Sequence, residues 1–213
     1  MYRDAHSMIR VMGLLFLGAA VALPSAVVAQ EHDASASHEH ESKGGPESLK
    51  VNVTLLDSEL LDQDGNPVRF ASEAVADRIV VMNFVYTSCA TVCPVSSALM
   101  VQIQADLQGA ENSEVQLLTI SVDPAKDTPD RLKDYATSIG AAPGWLWLTG
   151  YKPTVDEVLK GLGVYTANYD DHPPVMLIGD SRSADWRRLY GFPDPEQVVA
   201  RVKELQQARN ATH

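Results

Sequence analysis

The stretch from Ile79 to Pro94, "IVVMNFVYTSCATVCP", decides how this chain is read. Residues 79–86 are almost all apolar and rich in valine. Such a run predicts a strand buried on both faces, as in a parallel sheet. Pro94 suits the first turn of a helix, and Leu99, Ile103 and Leu107 carry an apolar stripe at helical spacing to a stop near Gly109. Between the strand and the body of the helix stand Cys89 and Cys93, the only two cysteines of the chain.

Downstream the same alternation repeats. Residues 115–122, "VQLLTISV", predict a second central strand. Thr128 fits an N-cap, Pro129 the first helical position, and Gly140 the stop of a second helix. Residues 145–148, "WLWL", predict a short strand, and "TVDE" at 154–157 is a capping-box pattern opening a helix that ends near Gly163. Residues 175–179 and 185–190 predict a hairpin turning across Ser181–Ala184, and Asp194, Pro195 and Gln197 open a last helix reaching about residue 208. Upstream, "VNVTLL" at 51–56 and the following "DQDGNPVRF", with Asp64-Gly65-Asn66 as the turn, predict a β-hairpin. Strands interleaved with helices plus hairpins define an α/β class: a central mixed sheet flanked by helices on both faces.

The remainder of the 213 residues divides by composition. Arg3 and Arg10, the apolar run Val11–Leu23, Pro24 and the small-residue end Val27-Val28-Ala29 predict a signal peptide over 1–29. The apolar run is shorter than the about 20 residues a membrane-spanning helix requires. The protein is therefore expected to be exported, periplasmic or otherwise extracytoplasmic. If the segment is retained, it becomes a membrane anchor. Residues 30–49, rich in His, Ser, Gly and Glu and without apolar periodicity, predict a disordered His/acidic tether. One domain is expected over 50–208, followed by a frayed C-terminus at 209–213.

With 17 basic and 28 acidic side chains the formal charge is −11, and cleavage after Ala29 leaves −12. That balance argues against a nucleic-acid partner.

In an exported protein two cysteines first suggest a structural disulfide. Three intervening residues close too short a loop for such a bridge to restrict the unfolded chain much. Their place at a strand-to-helix junction points instead to reactive thiols. Unpaired N–H groups and the helix dipole stabilise anions there, which predicts that the Cys93 thiolate is favoured. Two thiolates serve either as a redox couple or as soft metal ligands, with Cu(I) and zinc as the competing metals. The domain lacks the four Cys and His residues of a full structural zinc site, since His172 is its one histidine. In "DDHPP" the side chain of His172 reads equally as an ordinary loop residue or as a third ligand, with Asp171 placed to orient it.

Three motifs taken together resemble the Sco/SenC family of thioredoxin-fold copper chaperones: "YTSCATVCP" at 86–94, "SVDPAKDTP" at 121–129, and "DH" at 171–172. The resemblance spans roughly residues 50–207. It implies a thioredoxin-like core with an added N-terminal hairpin, and copper, as Cu(I) or Cu(II), held by Cys89, Cys93 and His172. It also implies a client, an apo copper protein such as a cytochrome c oxidase subunit, and a thiol reductant that keeps the cysteines reduced. The protein is expected to be a monomer. Asp123 and Asp127 match paired aspartates of the family, expected to cap their loop or to dock a partner. Pro173 departs from the threonine or serine that commonly follows the histidine.

The leading expectation is thus an extracytoplasmic copper metallochaperone that serves an oxidase copper centre. The alternative is a thiol-disulfide reductase in which one of the pair, Cys89 or Cys93, attacks and the other resolves the mixed disulfide. A thiol peroxidase would need an arginine at the pair, with Arg187 and Arg188 as candidates.

Overall fold

In the computed structural model residues 48–107 and 114–211 are described, and they form part of the compact unit Ser42–His213. The expected signal peptide and the tether up to residue 47 lie outside the described residues. Among the described residues no helix is long and apolar enough to cross a membrane.

The six-stranded sheet runs β1 (Ser48–Val51), β8 (Asp185–Tyr190), β7 (Val175–Asp180), β4 (Ile79–Val85), β5 (Val115–Ser121), β6 (Trp145–Leu148) in spatial order. β4 is central as its composition predicts: parallel to β5, antiparallel to β7, and buried at every position. Its side chains alternate between two cores, as the pleat requires. Val80, Met82 and Phe84 face a core built with Leu60, Phe70 and the apolar side of α3 (Lys152–Gly161). Ile79, Val81 and Val85 face a second core against α1 (Val92–Leu107), α2 (Pro129–Ser138) and α4 (Pro195–Ala211).

Several boundaries differ from the sequence reading for identifiable reasons. The N-terminal hairpin exists, but its strands are β2 (Glu59–Leu61) and β3 (Pro67–Arg69), not 51–56. The Asp62 carboxylate accepts the N–H groups of Asp64 and Asn66, so the turn is the one expected and the upstream strand starts later. Ser48–Val51 instead adds to the main sheet beside β8, so Ser48 and Leu49, expected to be tether, belong to a strand. α3 opens at Lys152 with Pro153 in its first turn, placing Thr154 inside the helix rather than at its cap. Gly163, at φ +68°, lies just beyond its end, a backbone conformation that glycine adopts without a Cβ penalty.

The C-terminus is the clearest correction. α4 does not fray at residue 208; it continues to Ala211 because Arg209 is buried and its guanidinium pairs with the buried Asp180 carboxylate at the end of β7. Asp180 also accepts from the Arg182 N–H and the Ser183 hydroxyl. A tertiary ion pair of this kind has no signature in local periodicity.

Because β4 and β5 are parallel and β7 antiparallel, the segments following β4 and β5 and the segment preceding β7 emerge at one end of the sheet. These carry Cys89, Asp123–Asp127 and His172 respectively.

Candidate functional site

Cys89 and Cys93 are both buried and both free. The turn between β4 and α1 is set by a hydrogen bond from Cys89 N–H to the Tyr86 carbonyl, 3.1 Å. The first turn of α1 then aims its N–H groups backwards, and that of Cys93 donates to Cys89 Sγ at 3.4 Å. Cys89 thus lies three residues before α1 with its sulfur accepting from the helix's first turn, in which Cys93 stands.

That geometry reverses the expectation for the thiolate. Burial pushes the Cys89 thiol up, but hydrogen bonds from the Cys93 side chain and from the backbone N–H groups of Thr91 and Cys93 outweigh it, lowering its pKa to about 6. Burial pushes Cys93 up, and its bond to Cys89 and the Asp127 charge add to this, raising it to about 12. The free N–H groups of a helix's first turn point backwards, and here they reach the Cys89 sulfur, so the favoured anion is Cys89. The Tyr86 hydroxyl is raised by its burial and by the neighbouring Cys89 sulfur.

The cysteine turn is anchored from the side. Asp127, almost fully buried, accepts the Thr87 N–H at 3.1 Å, the Thr87 hydroxyl at 2.6 Å and the Ser121 hydroxyl at 2.6 Å. Its own carbonyl accepts the Thr149 hydroxyl, 2.6 Å. Asp127 therefore caps the neighbouring cysteine turn as well as closing its own loop, where its N–H donates to the Asp123 carbonyl. Asp123 is buried too, with Oδ2 3.4 Å from Lys126 Nζ.

His172 follows a 3-10 turn (Tyr169–Asp171), and its N–H donates to the Tyr169 carbonyl. The imidazole is buried against Phe84, with ring centroids 5.9 Å apart. It lines a narrow cleft together with Tyr86, Cys93, Val122 and Pro173. Its Nε2 has no hydrogen-bond partner. Burial lowers the pKa of His172, opposed by the backbone carbonyls of Val164 and Pro173, so the neutral imidazole is favoured. The Asp171 carboxylate accepts from Asn168 Nδ2.

Cys93 and His172 therefore share one cleft, and Cys89 adjoins Cys93. Among the described residues no three His, Cys, Asp or Glu side chains converge on a point a metal ion would occupy. The pair and the histidine are neighbours without forming a closed three-ligand site. Two thiol sulfurs and a neutral imidazole nitrogen are a soft donor set, suited to Cu(I) and to ligand exchange. Neither arginine raised for a peroxidase reaches the cleft: Arg188 donates to the Leu162 carbonyl, and Arg187 lines a groove with Arg201. Tyr169 and Lys126, which join the two halves of the site, carried no separate signal in sequence beyond their places beside His172 and between the paired aspartates.

A free CxxxC pair at the junction of a central strand and a helix, in a mixed sheet with an added N-terminal hairpin, defines a thioredoxin-like protein. Residues 52–206 match the SCO1/SenC family model, and the chain belongs to that family. It is 36% identical over 91 residues to a SCO1 protein homolog of Bacillus subtilis, covering 42% of this chain and 46% of that protein. The matched segments span about half the length of the curated relatives. Among solved structures, BsSco, described as a member of the Sco family of cytochrome c oxidase assembly proteins with a disulfide switch, superposes with a TM-score of 0.62 at 23% identity, covering 73% of this chain and 95% of that one. Yeast Sco1 with copper bound superposes with a TM-score of 0.60 at 22% identity, covering 74% and 94%. At these identities the superpositions speak for the fold.

Proposed function

We propose that this protein is an extracytoplasmic copper-binding chaperone that serves cytochrome c oxidase assembly, holding copper as cargo through Cys89, Cys93 and His172. The observation that carries the reading is the buried pair of free thiols beside a buried imidazole whose Nε2 lacks a partner. A buried, unpaired polar nitrogen costs about 1–3 kcal/mol, so it calls for a ligand. The family's copper-bound and oxidase-assembly members support the same reading. Cu(I) would sit on the two sulfurs, and the imidazole would complete the set. Such a site can hand copper to a client copper centre by exchanging one ligand at a time.

A second reading is favoured by the asymmetry of the thiols. A thiolate at Cys89 with a pKa of about 6 beside a protonated, more deeply placed Cys93 suits an attacking and a resolving cysteine. Cys89 would attack a client disulfide, forming a mixed disulfide and releasing one client thiolate. Cys93, losing its proton, would then attack the Cys89 sulfur, releasing the second client thiolate and leaving a Cys89–Cys93 disulfide. The client gains two electrons, and a thiol reductant must return them to this chain.

The test is an anaerobic copper titration of the reduced full chain beside Cys89→Ala, Cys93→Ala and His172→Ala, with metal measured per protein after a chelator challenge. One retained copper per chain is expected, lost in both cysteine variants and weakened in the histidine variant. No retained copper, with rapid exchange against a model disulfide, would replace the chaperone by the reductase. Unchanged stoichiometry in both cysteine variants would refute the site.

A further inference from the structure

Adjacent residues of one loop grip the two halves of the site differently. Asp127 holds the cysteine turn through bonds from Thr87 and Ser121 that are buried or partly buried. Lys126, the preceding residue, reaches the other way. Its Nζ donates to the Tyr169 hydroxyl at 2.7 Å and lies 4.8 Å from the centroid of that ring, while its side chain stays 51% exposed. Tyr169 opens the 3-10 turn that ends at His172, and its carbonyl accepts the His172 N–H. Its ring rests edge-on against Tyr86, centroids 5.1 Å apart, at the foot of the cysteine turn.

The geometry points to Lys126 and Tyr169 as positioning residues, a latch that holds the His172 turn at rest beside the thiols and so governs when the imidazole joins them on copper. This rests on the copper reading above. The physical case has two parts. The clasp on the thiol side is shielded from water and held by several donors, whereas the Lys126–Tyr169 bond is half exposed, where water competes for both partners. The thiol half is therefore fixed and the histidine half movable. Second, because the three side chains do not converge as they stand, one side of the site has to shift to complete the set, and the histidine side is the less firmly held. Any contact that stabilises its resting place opposes ligation by the same free energy, and loosening that contact shifts the population towards the ligated form. Copper kept on two fixed sulfurs with a third ligand that comes and goes is a cargo site poised for transfer.

The experiment loads the full chain with one equivalent of copper and follows its release to a chelator, together with the Cu(II) absorption spectrum. Lys126→Met, Tyr169→Phe and the conservative Lys126→Arg are compared with wild type, each with and without His172→Ala. Tyr169→Phe removes one hydroxyl and keeps the ring packed on Tyr86. Lys126→Met and Tyr169→Phe should each slow release by about three-fold to ten-fold, the range set by one net hydrogen bond. Lys126→Arg should restore the wild-type rate, and every effect should vanish once His172 is alanine. Release at the wild-type rate or faster in both variants, with His172→Ala still accelerating it, overturns the latch and leaves the copper reading standing. Release and spectrum both unchanged in His172→Ala alone remove the histidine from the site, and the latch falls with it.

Discussion

The two ends of the β4–β7 ladder treat buried polar groups in opposite ways. At one end Ile79 pairs with Asp180, and both Asp180 oxygens have partners in Arg209, Arg182 N–H and Ser183. At the other end, past Val85 and before Val175, stand two free thiols and an imidazole nitrogen without a partner. The first end spends its polarity on holding a helix terminus, with both Asp180 oxygens partnered within the chain. The second gathers soft donors at a narrow cleft, and such donors are what a thiophilic metal or a disulfide exchange needs. The contrast teaches that burial alone does not mark a site; soft donors brought together along one cleft do.

The comparison breaks most visibly through its saturated end. Asp180→Ala leaves the buried Arg209 guanidinium with only Asp77, 4.0 Å away, as a counter-charge and should destabilise the domain by about 3 kcal/mol, read as a lower urea midpoint. Copper retention at temperatures where the protein remains folded should be unchanged, because the pair lies at the far end of the strands. A loss of copper without unfolding would show the two ends to be coupled.

Between the two ends in effect lies Asp127→Ala. It strips the Thr87 N–H and the Ser121 hydroxyl of their acceptor, with an expected cost of about 2–3 kcal/mol. It should also loosen the cysteine turn, visible as faster alkylation of the thiols under native conditions. Unaltered alkylation would separate the clasp from the site.

His172→Phe sharpens the contrast from the unsaturated end. The change removes an unpartnered nitrogen and keeps an aromatic ring against Phe84, so stability should shift by no more than about 1 kcal/mol while copper retention falls. A large destabilisation would mean that the imidazole is a structural hydrogen-bonding group after all.

The smallest effect is a displacement along the pH axis. Cys89, lowered to about 6, should be alkylated with a rate inflection near that pH instead of the ordinary thiol value of about 8.5. By linkage, the stability this lowered pKa contributes is fully present above the ordinary thiol value and is lost as the pH falls through about 6. Cys93 runs the other way: its raised pKa contributes stability that is fully present below the ordinary thiol value and lost as the pH rises towards about 12. Cys93→Ala should move the Cys89 inflection upwards, because the Cys93 thiol helps hold the Cys89 anion; an unmoved inflection would assign the whole effect to the backbone N–H groups.

Much of this was legible in the chain itself. The apolar run at 79–85, the "WLWL" strand, the Thr128 cap and the hairpin across Ser181–Ala184 appear where local chemistry places them, since each depends on neighbours within a few residues. The cysteine pair and its strand-to-helix setting belong to the same class, and the three ordered motifs, read with that setting, identify the family. What local pattern misplaced depends on distant partners. β1 is a strand only because β8 offers an edge, and α4 reaches Ala211 only because Asp180 waits for Arg209. The favoured thiolate belongs here too, because the turn folds the Cys89 sulfur back onto the helix's free donors and burial then separates two thiols that look equivalent in sequence. The meeting of His172 with Cys93 across 79 positions, and the grip of Lys126 on Tyr169, likewise arise where parallel and antiparallel pairing bring separate loops to one sheet end. Residue type and spacing determined which groups this protein has for chemistry; strand pairing and burial decided which of them meet, which are charged and which remain free.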